Sequence, residues 1–129
     1  ALRAVVFVPP TPLSTAVARG LLPDAVPHAD AAANAGRTAL LMAALAGQPS
    51  FLLTATEDLL HQPYRRAAMP DSFQLIDSLR AAGHAAVVSG AGPTVLVLTT
   101  TETADLLTLA PEGWTARPLD IAADGVRPG

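Results

Sequence analysis

The sequence predicts an α+β domain, an antiparallel sheet covered by helices. Three observations predict it. Short apolar runs of strand length stand near residues 5–8, 85–88, 94–98 and 114–119. Between the first two runs, apolar residues recur at helical spacing and are interrupted by helix-stop signals. The second and third runs are separated only by a short string of small residues, which makes them an antiparallel hairpin rather than a parallel crossover.

The elements follow in order. Val5-Val6-Phe7-Val8 is β-branched and aromatic, and Pro9-Pro10 stops it. A core strand this near the first residue creates the expectation of a preceding segment. Ser14 suits an N-cap, because its hydroxyl can accept an otherwise orphan amide of the first turn. The helix it starts should end between Gly20 and Pro23. Pro27 suits the opening of a second helix, from about His28 to Ala46, with Gly47 just past its end. Its apolar face is read as Ala35, Leu41, Met42 and Leu45, and Asp30, Asn34 and Arg37 share another face. Ser50 is expected to cap a third helix from Phe51 to about Leu60. "HQPYRR" follows, with Pro63 breaking regularity.

Pro70-Asp71-Ser72 opens a helix through Arg80, with Phe73, Ile76 and Leu79 at helical spacing. Gly83 closes it. Two strands then flank "SGAGP". A short helix from Glu102 to Leu109 and a strand from Trp114 to Leu119 complete a ferredoxin-like βαββαβ order, with extra helices in the first crossover. Residues 1–120 form one domain on this reading, and 121–129 a tail.

The chain has 129 residues, half of them hydrophobic, and carries a formal net charge of −3. That length supports one hydrophobic core. All basic side chains are Arg, so a phosphate-binding lysine or a Schiff base is excluded within the chain. No basic stripe with interleaved aromatics marks a nucleic-acid surface. Cysteine is absent, and His28, His61 and His84 lack metal-ligand spacing. No apolar run is long enough to span a bilayer. The expectation is no nucleic acid, no membrane and a cytoplasmic setting.

The loop "VVSGAGPTVLVL" admits two readings. Gly90 and Gly92 tolerate positive φ, so it can be simply a tight turn. A backbone that bare also lets N–H groups approach an anion. The pattern alone leaves both open.

Three stretches together resemble the homoserine kinases, a branch of the GHMP kinases. "SGAGPTV" is similar to the third motif of the wider family. "PLSTAVARGLLP" and "LHQPYR" resemble two segments of the branch, and Asn34 and Arg37 lie where it has an Asn-x-x-Arg helix. The resemblance spans about Val5 to Thr100. It implies transfer of the ATP γ-phosphoryl group to the hydroxyl of L-homoserine, a step of threonine biosynthesis. The family's phosphate-cradling loop is missing here. The chain therefore resembles only the C-terminal half, expected to be inactive alone. ATP and Mg²⁺ would be held mainly by an N-terminal domain, which is an expected partner along with L-homoserine. A homodimer is a further expected assembly.

The resemblance also implies site residues. Arg19 and Arg65 would bind the substrate carboxylate, since a guanidinium matches a carboxylate bidentately. Thr15, one helical turn before Arg19, would line the substrate site with Gly92. Asn34, Arg37, His61, Ser89, Gly90 and Ala91 would support it. No residue stands out as catalytic, and no metal ligand is assigned. Arg66 is expected to be solvated. Tyr64, Phe73 and Trp114 are expected to pack. Two rival readings are a GHMP kinase with another acceptor and a ferredoxin-like domain that binds an amino acid without catalysis.

Overall fold

A computed structural model describes residues 1–126. The chain forms β1 (Arg3–Val8), α1 (Thr15–Gly20), α2 (His28–Leu45), α3 (Leu52–Ala55), α4 (Gln62–Arg65), α5 (Pro70–Ala81), β2 (Ala85–Val88), β3 (Val95–Thr99), α6 (Ala104–Leu107) and β4 (Thr115–Leu119). The strands make one antiparallel sheet in the order β2-β3-β1-β4. This is the ferredoxin-like arrangement, with β1 and β3 central and the inserted helices between β1 and α5.

The main core lies between the sheet and α5. Val5, Phe7, Val95 and Val97 point from the central strands into a cluster with Phe73, Ile76 and Leu79. Alternation along β1 and β3 puts these valines and Phe7 on one face, and the helical spacing of 73, 76 and 79 puts the α5 residues opposite them. Full burial of each such side chain contributes about 1.5–3 kcal/mol. A second cluster joins Ala44 of α2, Leu52 and Ala55 of α3 and Ala85 of β2, with Leu40, Leu41 and Leu98 beside it.

The caps read from the sequence are present at three helices, Gly83 at φ 88° following the Ala82 cap of α5. The Ser14 hydroxyl accepts the Val17 amide at 3.1 Å. Gly47, at φ 133°, follows the Ala46 cap of α2. The third helix differs from expectation. Pro49–Phe51 is a 3₁₀ turn without a side-chain cap, and α3 ends at Ala55. The Thr56 hydroxyl bonds back to the Leu52 carbonyl at 2.8 Å, and a loop runs on to His61. The apolar face of α2 is also rotated from expectation. Leu41 packs inward with Leu40 and Ala44, whereas Ala35, Met42 and Leu45 are exposed. The alanine-rich sequence gives α2 little contrast between faces, so contact with α3 decides the rotation. Residues 120–126 follow β4 without a further helix or strand, and residues 127–129 of the expected tail lie outside the described residues.

Candidate functional site

The site is built where α4 meets the loop between β2 and β3. In that loop the Ser89 amide donates to the Thr94 carbonyl at 2.8 Å, and the Gly92 amide to the Ser89 carbonyl at 3.0 Å. Gly90 has φ 60° and Gly92 φ 87°, and the Gly92–Pro93 peptide is cis. The two glycines serve different ends. A Cβ on Gly90 would meet open space. A Cβ on Gly92 would lie 2.7 Å from Met69 Sδ and 2.9 Å from Val88 Cγ1, so Gly92 is bare because the core presses on it. The Ser72 hydroxyl holds the Pro93 carbonyl at 2.6 Å, which ties the loop to α5.

α4 is short and depends on polar bonds to main chain. Asp58 organises its start. Its Oδ2 accepts the amides of His61 (2.9 Å) and Gln62 (2.5 Å), and its Oδ1 accepts the Leu60 amide (3.3 Å) and faces His61 Nδ1 (3.0 Å). Burial opposes ionisation of Asp58, but the Gln62 amide, the His61 imidazole and the His61 amide outweigh it and hold the carboxyl below its usual range. Pro63 lies in the first turn of α4, where its missing N–H costs nothing. The helix is then docked from its other side. Gln62 Oε1 accepts the Val88 amide at 2.8 Å, and Arg65 Nη1 donates to the Gly90 carbonyl at 3.0 Å.

Arg65 is only 7% exposed, unusual for an arginine. Its Nε is buried and has no hydrogen-bond partner. With Nη1 committed to Gly90, the edge formed by Nε and Nη2 is unpaired among the described residues. That edge is one of the two forks with which a guanidinium grips a carboxylate. A cavity of about 340 Å³ is lined by Asp58, His61, Gln62, Arg65, Val87, Val88 and Gly90.

The structure therefore brings His61, Arg65 and Gly90 together around one cavity. Asn34 and Arg37 stand behind it. Asn34 Oδ1 accepts the Leu59 amide at 2.8 Å, and Arg37 Nε pairs with Glu57 Oε2 at 2.7 Å, so both tie α2 to the segment that carries Asp58. Ser89, Ala91 and Gly92 shape the loop without lining that cavity. Thr15 and Arg19 are exposed on α1 and do not line it either, and the Arg19 side chain has no hydrogen-bond or ion-pair partner among the described residues. Pro12 and Leu13, just before α1, line a different cavity with Met69 and Pro93, so α1 starts on the Pro93 side of the loop.

Arg66 is half exposed, pairs with Asp77 through both terminal nitrogens and lies 4.7 Å over the Phe73 ring. Arg80 bridges α5 to the end of α3 and to β2, donating to the Leu53 and Ala86 carbonyls and the Thr56 hydroxyl. Burial lowers its pKa against the opposing charge of Glu57. Sequence reasoning missed Asp58 and Gln62. An acid ahead of a Gln-Pro pair was the available signal, since this is a helix-start pattern.

Among the described residues there is no group of three or more His, Asp or Glu side chains placed to hold a metal ion. No helix among them is long and apolar enough to cross a membrane.

A ferredoxin-like sandwich with a bare glycine turn docked on a buried arginine defines an α+β domain, and a cavity lined by that arginine lies beside the turn. Residues 31–110 match the family model described as GHMP kinases C terminal, and the chain belongs to that family. It is 58% identical over 122 residues to a homoserine kinase of Streptomyces avermitilis and 56% identical over 122 residues to one of Streptomyces coelicolor, in each case covering 94% of this chain and 40% of the relative. The crystal structure of a homoserine kinase from Cytophaga hutchinsonii matches with a TM-score of 0.80 at 23% identity, covering 92% of this chain and 40% of that one. That likeness is one of fold. The chain spans about 40% of the length of the curated relatives it matches.

Proposed function

We propose that this chain is the C-terminal, substrate-binding part of a homoserine kinase. The reaction is transfer of the ATP γ-phosphoryl group to the hydroxyl of L-homoserine, which places the enzyme in threonine biosynthesis in the cytoplasm. The hydroxyl oxygen forms the new P–O bond, the bond to the β–γ bridging oxygen breaks, and the hydroxyl proton is released. The observation that carries the reading is Arg65: buried, fixed to Gly90 through one nitrogen, and unpaired along its Nε–Nη2 edge. That edge takes the amino-acid carboxylate. The curated relatives named homoserine kinase support the choice of acid.

Thr15, Arg19 and Gly92 are assigned to the substrate site by the motif resemblance alone. Asn34, Arg37, His61, Ser89, Gly90 and Ala91 support it. ATP and Mg²⁺ are held mainly by an N-terminal domain, so residues 1–120 alone are inactive. Positioning and electrostatics supply most of the catalysis in such transfers.

The test is kinetic and uses the full-length enzyme. Arg65→Ala should raise KM for homoserine about 10- to 100-fold, the loss expected for a charge-assisted pair, with KM for ATP little changed. Arg65→Lys should rescue little, since an ammonium cannot replace the planar fork. Unchanged homoserine kinetics in Arg65→Ala would overturn the assignment. Preference for an alcohol that is not an amino acid would point to another GHMP acceptor, and tight homoserine binding by this chain alone would favour a non-catalytic amino-acid domain.

A further inference from the structure

The use of Asp58 is not exhausted by holding the start of α4. It presents a carboxylate, four-fifths buried at its side chain, to His61 Nδ1 at 3.0 Å. An ionised carboxylate can only accept, so Nδ1 must carry the hydrogen. In a neutral imidazole the other nitrogen, Nε2, then holds a lone pair and acts as an acceptor. His61 is about half exposed and lines the same cavity as Arg65. The two are one helical turn apart, and the Arg65 amide donates to the His61 carbonyl at 3.2 Å.

One cavity is therefore bordered both by a residue with an acceptor nitrogen and by Arg65, whose Nε has no partner. A zwitterionic α-amino acid carries a carboxylate and an ammonium on adjacent atoms, and this pairing of donor edge and acceptor matches it. Resting on the proposed function above, we infer that Asp58 is a positioning residue that fixes His61 as the Nδ1–H tautomer, so that Nε2 receives the substrate ammonium while Arg65 holds the carboxylate. The site would thus select amino acids over simple hydroxy acids by an element outside the glycine loop.

Two measurements on the full-length protein test this. Nitrogen-15 NMR of labelled histidine, at a pH where the ring is neutral, reads the tautomer directly without substrate. His61 should be the Nδ1–H form, and Asp58→Asn should lower that population severalfold. The amide keeps an acceptor for the backbone N–H groups, so α4 should survive, and the circular dichroism spectrum checks this. A wild-type His61 in the Nε2–H form, or a population unmoved by Asp58→Asn, overturns the role of Asp58.

Competition binding then compares homoserine with 4-hydroxybutanoate, which lacks the amino group. His61→Ala should weaken homoserine about tenfold or more and leave the deaminated analogue unchanged, and His61→Gln, which restores an acceptor oxygen, should recover part of the loss. Equal losses for both ligands, or none, overturn the ammonium assignment. If the wild-type protein binds neither ligand, the kinase reading fails and the ammonium assignment fails with it, while the tautomer measurement still judges Asp58.

Discussion

The face of the sheet that carries α5 and the segment that carries α4 are held by opposite kinds of force. α5 buries Phe73, Ile76 and Leu79 against the central strands, each at 2% exposure. α4 buries little apolar surface and is held by Asp58, Gln62 and Arg65, each bonded to main chain. The first arrangement makes the domain stable. The second makes a short helix stand in one place beside a cavity. Substitutions should therefore separate into those that lower stability and those that disturb the site.

The largest expected effect lies on the α5 side. Phe73→Ala removes a buried ring from the core and the surface on which Arg66 rests, and should cost about 3–5 kcal/mol in chemical denaturation. A loss comparable to that of an exposed substitution would break the comparison. Gly92→Ala comes next, at about 2–4 kcal/mol, from the positive φ and the crowding by Met69 and Val88. Met69 ends in a flexible thioether but is itself buried, so it has little room to yield. Gly90→Ala meets open space and should cost clearly less, on the order of 1 kcal/mol. Equal melting temperatures for the two glycine variants would deny that the core presses on Gly92.

The smallest effect concerns acid. The carboxyl of Asp58 is held below its usual range in the folded chain, so its stabilisation is complete above the unfolded pKa. It is lost as pH falls below about 4 toward the folded value. The stability gap between the protein and Asp58→Asn should thus be widest near neutrality and close in strong acid. A gap that widens below pH 4 would contradict the sign.

The same contrast explains what was legible in the sequence. Sheet and α5 are written in periodicity: Val5 and Phe7 alternate, and 73, 76 and 79 recur at a helical interval. The fold class follows from those patterns and their order. α4 has too few residues to carry a period, and its partners are distant: Arg65 is 25 positions from the Gly90 carbonyl it binds. Only the motif resemblance drew attention to Arg65 and His61, whereas Gly90 stands out by itself in a turn of small residues. Asn34 and Arg37 were read as sharing a face, but nothing local could say that the face meets Glu57 and Leu59. The expected third helix failed for a related reason. Apolar residues recur beyond Ala55 at Leu59 and Leu60, yet the backbone turns away at Thr56, and Arg80 meets the Leu53 carbonyl while Asn34 meets the Leu59 amide.

One arrangement reaches beyond the cavity. Ser89 bonds across to Thr94, so by alternation Ala86 and Val88 turn their backbone groups away from β3, toward the sheet's outer rim. Arg80 occupies the Ala86 carbonyl and Gln62 the Val88 amide. At the opposite rim, β4 contains Pro118, which has no amide hydrogen to offer. An exposed strand border is a template on which a foreign chain can zip up. Here the side chains that seat α4 and α5 also seal one border, and a proline blunts the other, so the sheet is built to stop at four strands.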